Sequence, residues 1–240
     1  MVKAVLLAAG VGSRIRPLTD NSPKSLLDVA GKSILYRMLE NVQAVGITDV
    51  IVITGYLEDQ LKTFITENFP SLQVTFKRND KFELTNTGYS LLLTREFVEG
   101  SDFVKFDADV VFEKAILEKL LQSEVSALCI DRNINLEAEE VKVITDENGK
   151  VLEVGKKLDP NRANGESIGI EKITAAAGKV LFSELESLLS DEKNWQEYYD
   201  DSYTTLVNKG VPFEAVDITG LKWVEIDTHE DYARAQEIFK

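Results

Sequence analysis

A loop of small residues follows the first apolar run of the chain and is bordered by cations. Residues 4–7 are AVLL, residues 8–14 are AAGVGSR, and residues 22–24 are SPK. Glycine and alanine let backbone N–H groups approach a phosphate closely. Arg14 and Lys24 supply positive charge for a polyphosphate. The sequence therefore predicts a buried strand, a phosphate-binding loop and a nucleoside triphosphate as the ligand.

Two other phosphate loops are excluded by single positions. A P-loop ends in Gly-Lys-Ser/Thr, whereas residues 12–14 are Gly-Ser-Arg. A dinucleotide-binding loop has a third small residue where this chain has Ile15. It also places an acidic residue at the end of the second strand, whereas the run 50–53 is followed by Thr54 and Gly55.

Composition disfavours several classes of protein. The formal net charge of −14 disfavours binding to a nucleic acid, whose phosphates demand a basic surface. With one histidine, His229, a charge-relay triad or a histidine-rich zinc site is disfavoured. The single Cys129, the lack of a signal peptide and the lack of a long apolar run predict a cytoplasmic protein without membrane insertion.

Periodicity predicts an α/β fold. Apolar strands alternate with helical patterns up to residue 131, which is typical of a doubly wound sheet. Beyond residue 132 the pattern is richer in strands, and Asn148-Gly149 indicates a hairpin. We predict one domain over residues 1–240, with a small β-rich insertion at one edge of the sheet. Three of the predicted helices span residues 86–96, 112–122 and 195–209.

The loop also matches a known pattern. Residues 7–14 fit Leu-x-Ala-Gly-x-Gly-x-Arg, and Pro23-Lys24 follows downstream. This resembles the superfamily of sugar-phosphate and phosphocholine nucleotidyltransferases. The later segments resemble cytidylyltransferases that act on small phosphorylated or phosphonate head groups, such as phosphocholine and 2-aminoethylphosphonate. The resemblance implies a Rossmann-like, doubly wound mixed sheet of the nucleotide-diphospho-sugar transferase type.

Carboxylates follow two predicted strands. Asp107 and Asp109 come after the run 103–106, and Asp227 comes after the run 223–226. In open α/β sheets, ligands bind at the carboxyl ends of the strands. The resemblance implies that Asp109 and Asp227 hold Mg²⁺, which takes few carboxylates and completes its shell with phosphate oxygens and water. The alternative is that these residues cap the helices that follow.

The resemblance also implies roles for other residues. Lys24 and Arg14 are the expected catalytic cations. The expected nucleotide contacts are Leu7, Ala8, Ala9, Gly10, Gly12, Asn79, Asn86, Ser90 and Asp107. The expected acceptor contacts are Tyr89, Lys156, Glu171, Tyr199 and Asp200. For Asn86 the alternative is a helix cap, and for the acceptor residues it is ordinary solvated surface.

These inferences predict a Mg²⁺-dependent enzyme that transfers CMP from CTP to a small phosphorylated alcohol or phosphonate and releases pyrophosphate. Two alternatives are a sugar-1-phosphate nucleotidyltransferase that uses UTP or dTTP, and a non-catalytic regulator that binds a nucleotide. The sugar branch fits less well, because Val110 stands where its pattern has Asn. CTP and the acceptor are the expected partners, and a homodimer is left open.

Overall fold

Thirteen strands and eight α-helices are described in the computed structural model, which covers residues 2–133, 136 and 139–240. The strands are β1 (Lys3–Ala8), β2 (Asp28–Val29), β3 (Lys32–Ser33), β4 (Asp49–Thr54), β5 (Gln73–Arg78), β6 (Phe103–Asp107), β7 (Val110–Phe112), β8 (Ser126–Asp131), β9 (Lys142–Thr145), β10 (Val151–Gly155), β11 (Gly165–Ile173), β12 (Phe213–Asp217) and β13 (Trp223–Glu225). The helices are α1 (Ile34–Ala44), α2 (Glu58–Asn68), α3 (Thr87–Leu92), α4 (Arg95–Val98), α5 (Lys114–Leu120), α6 (Ala175–Leu189), α7 (Asp200–Asn208) and α8 (His229–Ile238). Residues 1, 134, 135, 137 and 138, which the predicted domain includes, lie outside the described residues.

The central sheet is mixed. Along the order β5–β4–β1–β6, all neighbouring strands are parallel. The long strand β11 then pairs antiparallel with both β6 and β8, and β12 runs parallel to β8 at the far edge. The β9–β10 hairpin joins the first half of β11 through β9. The predicted mixed, doubly wound sheet is therefore confirmed.

Both faces of the sheet are buried, which is why its strands are apolar rather than alternating. In β1, Ala4 and Leu6 face a core that includes residues of α1, α2 and α5. Val5 and Leu7 face a second core that includes residues of α3, α6 and α7. Among the described residues, no helix is both long enough and apolar enough to cross a membrane.

Three predicted helices differ from the structure. The helix predicted at 86–96 is divided into α3 and α4, and Thr94 between them donates its hydroxyl to the Leu91 carbonyl at 2.7 Å. This local bond competes with the helical ladder. The helix predicted at 112–122 begins later, because residues 110–112 form β7 and pair with β13. The stretch predicted at 195–209 becomes helical only from Asp200.

Candidate active site

A cavity of about 400 Å³ opens at the carboxyl ends of β1 and β6. It is bounded by the glycine loop on one side and by β11 and the start of α7 on the other. Of the predicted site residues, those that line it are Leu7, Ala8, Gly10, Gly12, Arg14, Lys24, Asn86, Asp107, Asp109, Lys156, Tyr199, Asp200 and Asp227. The fold thus brings together residues that lie more than two hundred positions apart in the sequence.

The glycine loop is held closely against Lys24. Gly12 has a φ of +65°, and a Cβ atom there would lie 3.1 Å from the Lys24 Cβ. The Thr19 hydroxyl donates to the Gly12 carbonyl oxygen at 2.8 Å. Ile15 is fully buried in a small core with residues of β7, β13 and α8. Ile15 therefore anchors the loop, at the position where a dinucleotide fold would carry a small residue.

Lys24 joins two carboxylates from different strands. Its Nζ lies 2.8 Å from Asp109 Oδ2 and 2.7 Å from Asp227 Oδ1, and an Arg14 guanidinium nitrogen lies 2.8 Å from the same Asp227 oxygen. Burial lowers the pKa of Lys24, but the charges of both aspartates outweigh burial, so the pKa is raised. For Asp227, burial raises the pKa and the nearby cations, Lys24 first, lower it further than burial raises it. Lys24 is thus charged and Asp227 ionised at neutral pH.

A third carboxylate completes a group that can hold a metal ion. One ligand atom from each of Asp109, Glu225 and Asp227 lies within 4.8 Å of the other two. Asp109 Oδ1 is buried with no hydrogen-bond partner in the described part of the chain. Burial, followed by the charges of Asp109 and Asp227, raises the pKa of Glu225 well above its usual value. An all-oxygen set of this kind with an unpartnered buried ligand atom fits Mg²⁺.

Glu225 was absent from the residues predicted from the sequence. Val224 and Ile226 are fully buried, so strand alternation places Glu225 on the same side as Asp227. That alternation was the signal that could have found it. The helix-cap alternatives are also resolved, because the N-cap of α5 is Glu113 and the N-cap of α8 is Thr228, in a capping box with Asp231.

A second group of charged residues is centred on Lys105 and includes Asp107, which lines the cavity. The fully buried Lys105 lies 2.7 Å from Glu171 Oε2 and 3.0 Å from Asp107 Oδ2, and it donates to the Gly169 carbonyl at 3.1 Å. It also hydrogen-bonds to the Tyr199 hydroxyl. Burial lowers the pKa of Lys105, but the charges of Asp107 and Glu171 outweigh burial and the pKa is raised. Lys105 therefore ties β6, β11 and the start of α7 together as a buried cation.

Asp107 and Asp200 face the cavity above this lysine. The Tyr199 hydroxyl donates to Asp107 Oδ2, whereas Asp107 Oδ1 is buried without a hydrogen-bond partner among the described residues. At Gly169, φ is +73° and a Cβ atom would lie 2.6 Å from Asp107 Oδ2, so a side chain there would displace the carboxylate. Burial raises the pKa of Asp200 to about 7, and the Asp107 charge adds to this effect.

Five predicted site residues do not line the cavity. Asn79 is buried and donates to Thr85 Oγ1 at 2.9 Å and to Ser90 Oγ at 3.1 Å, so both Asn79 and Ser90 fix the loop before α3. Tyr89 contacts Trp195. The five residues that do not line the cavity are Ala9, Asn79, Ser90, Tyr89 and Glu171.

The start of α3 does reach the cavity. Asn86 caps α3, because its side-chain oxygen accepts from the Thr87 backbone N–H at 2.8 Å, and it also lines the cavity. The helix cap that Asn86 forms therefore does not exclude the nucleotide contact that the resemblance implies. Thr87 lines the cavity too, and its hydroxyl is buried without a partner in the described residues. The sequence analysis did not single out Thr87.

A glycine loop that faces clustered carboxylates across the carboxyl edge of a mixed sheet is the arrangement of an enzyme that handles nucleotides. The chain belongs to the nucleotidyl transferase family, whose model matches residues 3–239. The family and the enzyme class inferred from the loop are thereby confirmed.

Two similar proteins and one solved structure support the same family assignment. The chain is 28% identical over 250 residues to the CTP:phosphoglutamine cytidylyltransferase of Campylobacter jejuni, covering 96% of this chain and 97% of that protein. It is 30% identical over 237 residues to the bifunctional IPC transferase and DIPP synthase of Aquifex aeolicus, covering 98% of this chain and only 51% of that protein. The structure of the CTP:phosphocholine cytidylyltransferase of Streptococcus pneumoniae superposes with a TM-score of 0.82 at 26% identity, covering 100% of this chain and 99% of that chain.

Proposed function

We propose that this protein is a Mg²⁺-dependent cytidylyltransferase that joins CMP from CTP to a small phosphorylated alcohol or phosphonate. The observation that carries the proposal is the contact of Lys24 with both Asp109 and Asp227 beside the glycine loop. This contact supports the proposal because it sets a fixed cation and a group of carboxylates next to the loop that is expected to bind phosphates. Two relatives support the choice of CTP, because their names include it.

The proposed reaction needs no general base. An oxygen of the anionic acceptor forms a bond to the α-phosphorus of CTP, and the bond from that phosphorus to the bridging oxygen breaks. Pyrophosphate leaves with the electron pair of the broken bond. The protein's task is then to position the two anions and to offset their charge. No histidine is found among the described residues that line the cavity, which is consistent with this chemistry.

The charged residues around Lys24 have roles in this scheme. Lys24 would lie against the α-phosphate and the incoming oxyanion, and Arg14 would bind the β- and γ-phosphates. Asp109, Glu225 and Asp227 would hold Mg²⁺, which would offset negative charge on the nucleotide oxygens when bound. The backbone N–H groups of the glycine loop would supply further donors to phosphate oxygens.

The most informative test combines purified protein with each nucleoside triphosphate and a panel of acceptors, and measures pyrophosphate. We expect release with CTP and a small phosphorylated or phosphonate acceptor, and dependence on added Mg²⁺. Lys24→Met is the matched inactive control. Release with UTP or dTTP and glucose-1-phosphate, but not with CTP, would assign the protein to the sugar branch. CTP binding without pyrophosphate release under any condition would indicate a regulator.

A further inference from the structure

Two segments that are far apart in the sequence contact each other and lead directly into residues that line the cavity. The loop 79–85 leads into the start of α3, and the stretch 195–197 leads into residues 198–200. We call the contact between residues 81–88 and residues 195–197 the seam. The seam therefore links two parts of the cavity wall.

The two segments are held at close range by their backbones. The Asn86 N–H donates to the Trp195 carbonyl oxygen at 2.9 Å. At Gly88, an added Cβ atom would lie 2.8 Å from the Glu197 carbonyl oxygen, so a side chain there would push the segments apart. Because Asn86 itself lines the cavity, the position of the stretch 195–197 is tied to that of a cavity residue.

A lysine joins the side chains of the seam. Lys81 Nζ lies 3.9 Å from the centroid of the Trp195 ring and 5.6 Å from that of the Tyr89 ring. The Trp195 ring is in turn fixed to the end of α6, because its Nε1–H donates to the Leu189 carbonyl oxygen at 3.2 Å. An ammonium is attracted to the face of an aromatic ring, and more strongly where water is partly excluded, as at the half-buried Lys81. The Lys81 ammonium therefore holds the stretch around Trp195 against the loop.

The loop keeps its shape without the side chain of Lys81. The Lys81 N–H donates to Asn79 Oδ1 at 3.0 Å, and the Thr85 hydroxyl donates to the Lys81 carbonyl oxygen at 2.9 Å. Asn79 is itself bonded to Ser90. The stretch 195–199, by contrast, forms neither a helix nor a strand. Loss of the Lys81 ammonium should therefore release this stretch and leave the loop in place.

We propose that Lys81 is a positioning residue for the acceptor, because through Trp195 it holds residues 198–200 on the cavity wall. This inference rests on the proposed cytidylyl transfer and adds a residue that does not itself line the cavity. Lys81 belongs to the loop that leads to Asn86, the expected nucleotide contact, yet its effect falls on the acceptor. A small displacement of groups that orient a substrate is enough to lower the efficiency of a transfer reaction.

The kinetic test compares Lys81→Met with the parent protein, with pyrophosphate release as the readout and phosphocholine and 2-aminoethylphosphonate as the acceptors. We expect KM for the acceptor to rise at least fivefold at saturating CTP. Calorimetry with CTP alone should give a dissociation constant within twofold of the parent value, because the loop keeps its internal bonds. Lys81→Arg keeps a cation over the ring and should restore the acceptor KM. A purely structural role would lower the thermal midpoint without separating the two substrates.

Replacement of the other partner gives an independent check. Trp195→Leu removes the ring on which Lys81 acts and should raise the acceptor KM to a similar extent. The double variant Lys81→Met/Trp195→Leu should be little worse than either single variant, because both changes remove the same contact. If Lys81→Met does not fold, Trp195→Leu carries the kinetic test alone.

Fluorescence measures the link through Trp195 directly. The chain has two tryptophans, so Trp195 is the only one in a Trp223→Phe background. Lys81→Met in this background should raise the acrylamide quenching constant of Trp195 at least twofold, and Lys81→Arg should restore it. The matched control is Lys32→Met, which removes an ammonium 5.1 Å from the centroid of the Tyr36 ring, away from the cavity lining. This control should leave both the quenching constant and the acceptor KM unchanged.

Three results would overturn the proposal while leaving cytidylyl transfer intact. A rise of less than fivefold in the acceptor KM of Lys81→Met would remove Lys81 from this role. An equal weakening of CTP binding and of acceptor binding would make Lys81 a general support of the fold. Unchanged quenching of Trp195 would show that the seam does not carry the effect. If the parent protein releases pyrophosphate with none of the acceptors, the proposed function and this inference are both wrong.

Discussion

The ammonium of Lys24 lies 2.8 Å from Asp109 Oδ2, and this contact joins the glycine loop to the end of β6. The same ammonium lies 2.7 Å from Asp227. The ammonium of Lys24 therefore contacts two of the carboxylates that would bind Mg²⁺, and Arg14 contacts one of them. We therefore expect Lys24 and Mg²⁺ to compete for the same carboxylate oxygens until a nucleotide gives Lys24 another anionic partner.

Replacement of Lys24 by Met tests its role in catalysis and its competition with a metal ion. We expect turnover to fall by about 10²–10⁴, the usual range for loss of a catalytic charge contact. We also expect Mn²⁺ to bind more tightly to the nucleotide-free variant, because a competing positive charge has been removed. Electron paramagnetic resonance of free Mn²⁺ measures this affinity. Lys32→Met, which removes a surface ion pair with Glu40, is the control. An unchanged Mn²⁺ affinity would contradict the prediction.

Asp109 and Asp227 should act as a unit. If both hold one ion, Asp109→Ala and Asp227→Ala should each lower kcat/KM by about 10²–10⁴, and the double variant should be little worse than either. Folding should persist, because both side chains are about a quarter exposed. Asp217→Ala, at the end of β12 on the surface, is the matched control. Losses that add up, or near-normal activity of Asp227→Ala, would mean that the ion is held in another way.

Thr87 offers a test of a residue that the sequence did not indicate. Its hydroxyl is buried in the cavity lining without a partner among the described residues, so a bound substrate is expected to supply one. Thr87→Val keeps the shape and removes the hydroxyl. The thermal midpoint should hold or rise, whereas KM for CTP or for the acceptor should rise about tenfold, the value of one hydrogen bond. Thr87→Ser should restore binding. Unchanged KM values for both substrates would exclude this role.

The buried pair of Lys105 and Glu171 should be strongly coupled. Lys105→Met leaves carboxylates without their counter-charge and should cost about 3–5 kcal/mol of unfolding free energy. In the double variant Lys105→Met/Glu171→Met, one of those carboxylates is gone, so the loss should be smaller than the sum of the two single losses. Urea unfolding of the four proteins gives the coupling. If the losses of unfolding free energy are additive, the interaction between Lys105 and Glu171 does not contribute to stability.

The sequence predicted the fold because strands buried on both faces leave long apolar runs. The loop motif and the family resemblance pointed to Arg14, Lys24, Asp109 and Asp227, which the structure brings to one cavity, whereas the binding of a metal ion by the two aspartates stays a prediction. The buried ion pairs of Lys105 were not predicted. A lysine in an apolar strand does not indicate which residues of β11 and of the start of α7 will lie next to it in the fold. Asn79 shows the opposite kind of error, a predicted site residue that does not line the cavity. Its motif suggested a ligand contact, but local sequence does not fix the direction of a side chain, and packing turned Asn79 inward toward Ser90.

Glu166 should make stability depend on pH. It is 6% exposed in β11, and burial, followed by the charges of Glu140 and Asp131, raises its pKa from 4.5 to about 7. The folded state then binds the proton more tightly than the unfolded state does. The resulting stabilisation is complete below pH 4.5 and is lost as the pH rises through 7.

Glu166→Gln stays neutral and should escape this loss. Compared with the parent protein, its unfolding free energy should therefore improve between pH 5 and pH 8, by up to about 3 kcal/mol on the basis of 1.36 kcal/mol per pKa unit. Urea unfolding at several pH values measures the difference. Glu118→Gln, at an exposed position of α5, should leave the pH profile unchanged. If the profiles of Glu166→Gln and the parent run parallel, the Glu166 carboxyl titrates alike in the folded and unfolded chains, and the proposed cause of the pH dependence is wrong.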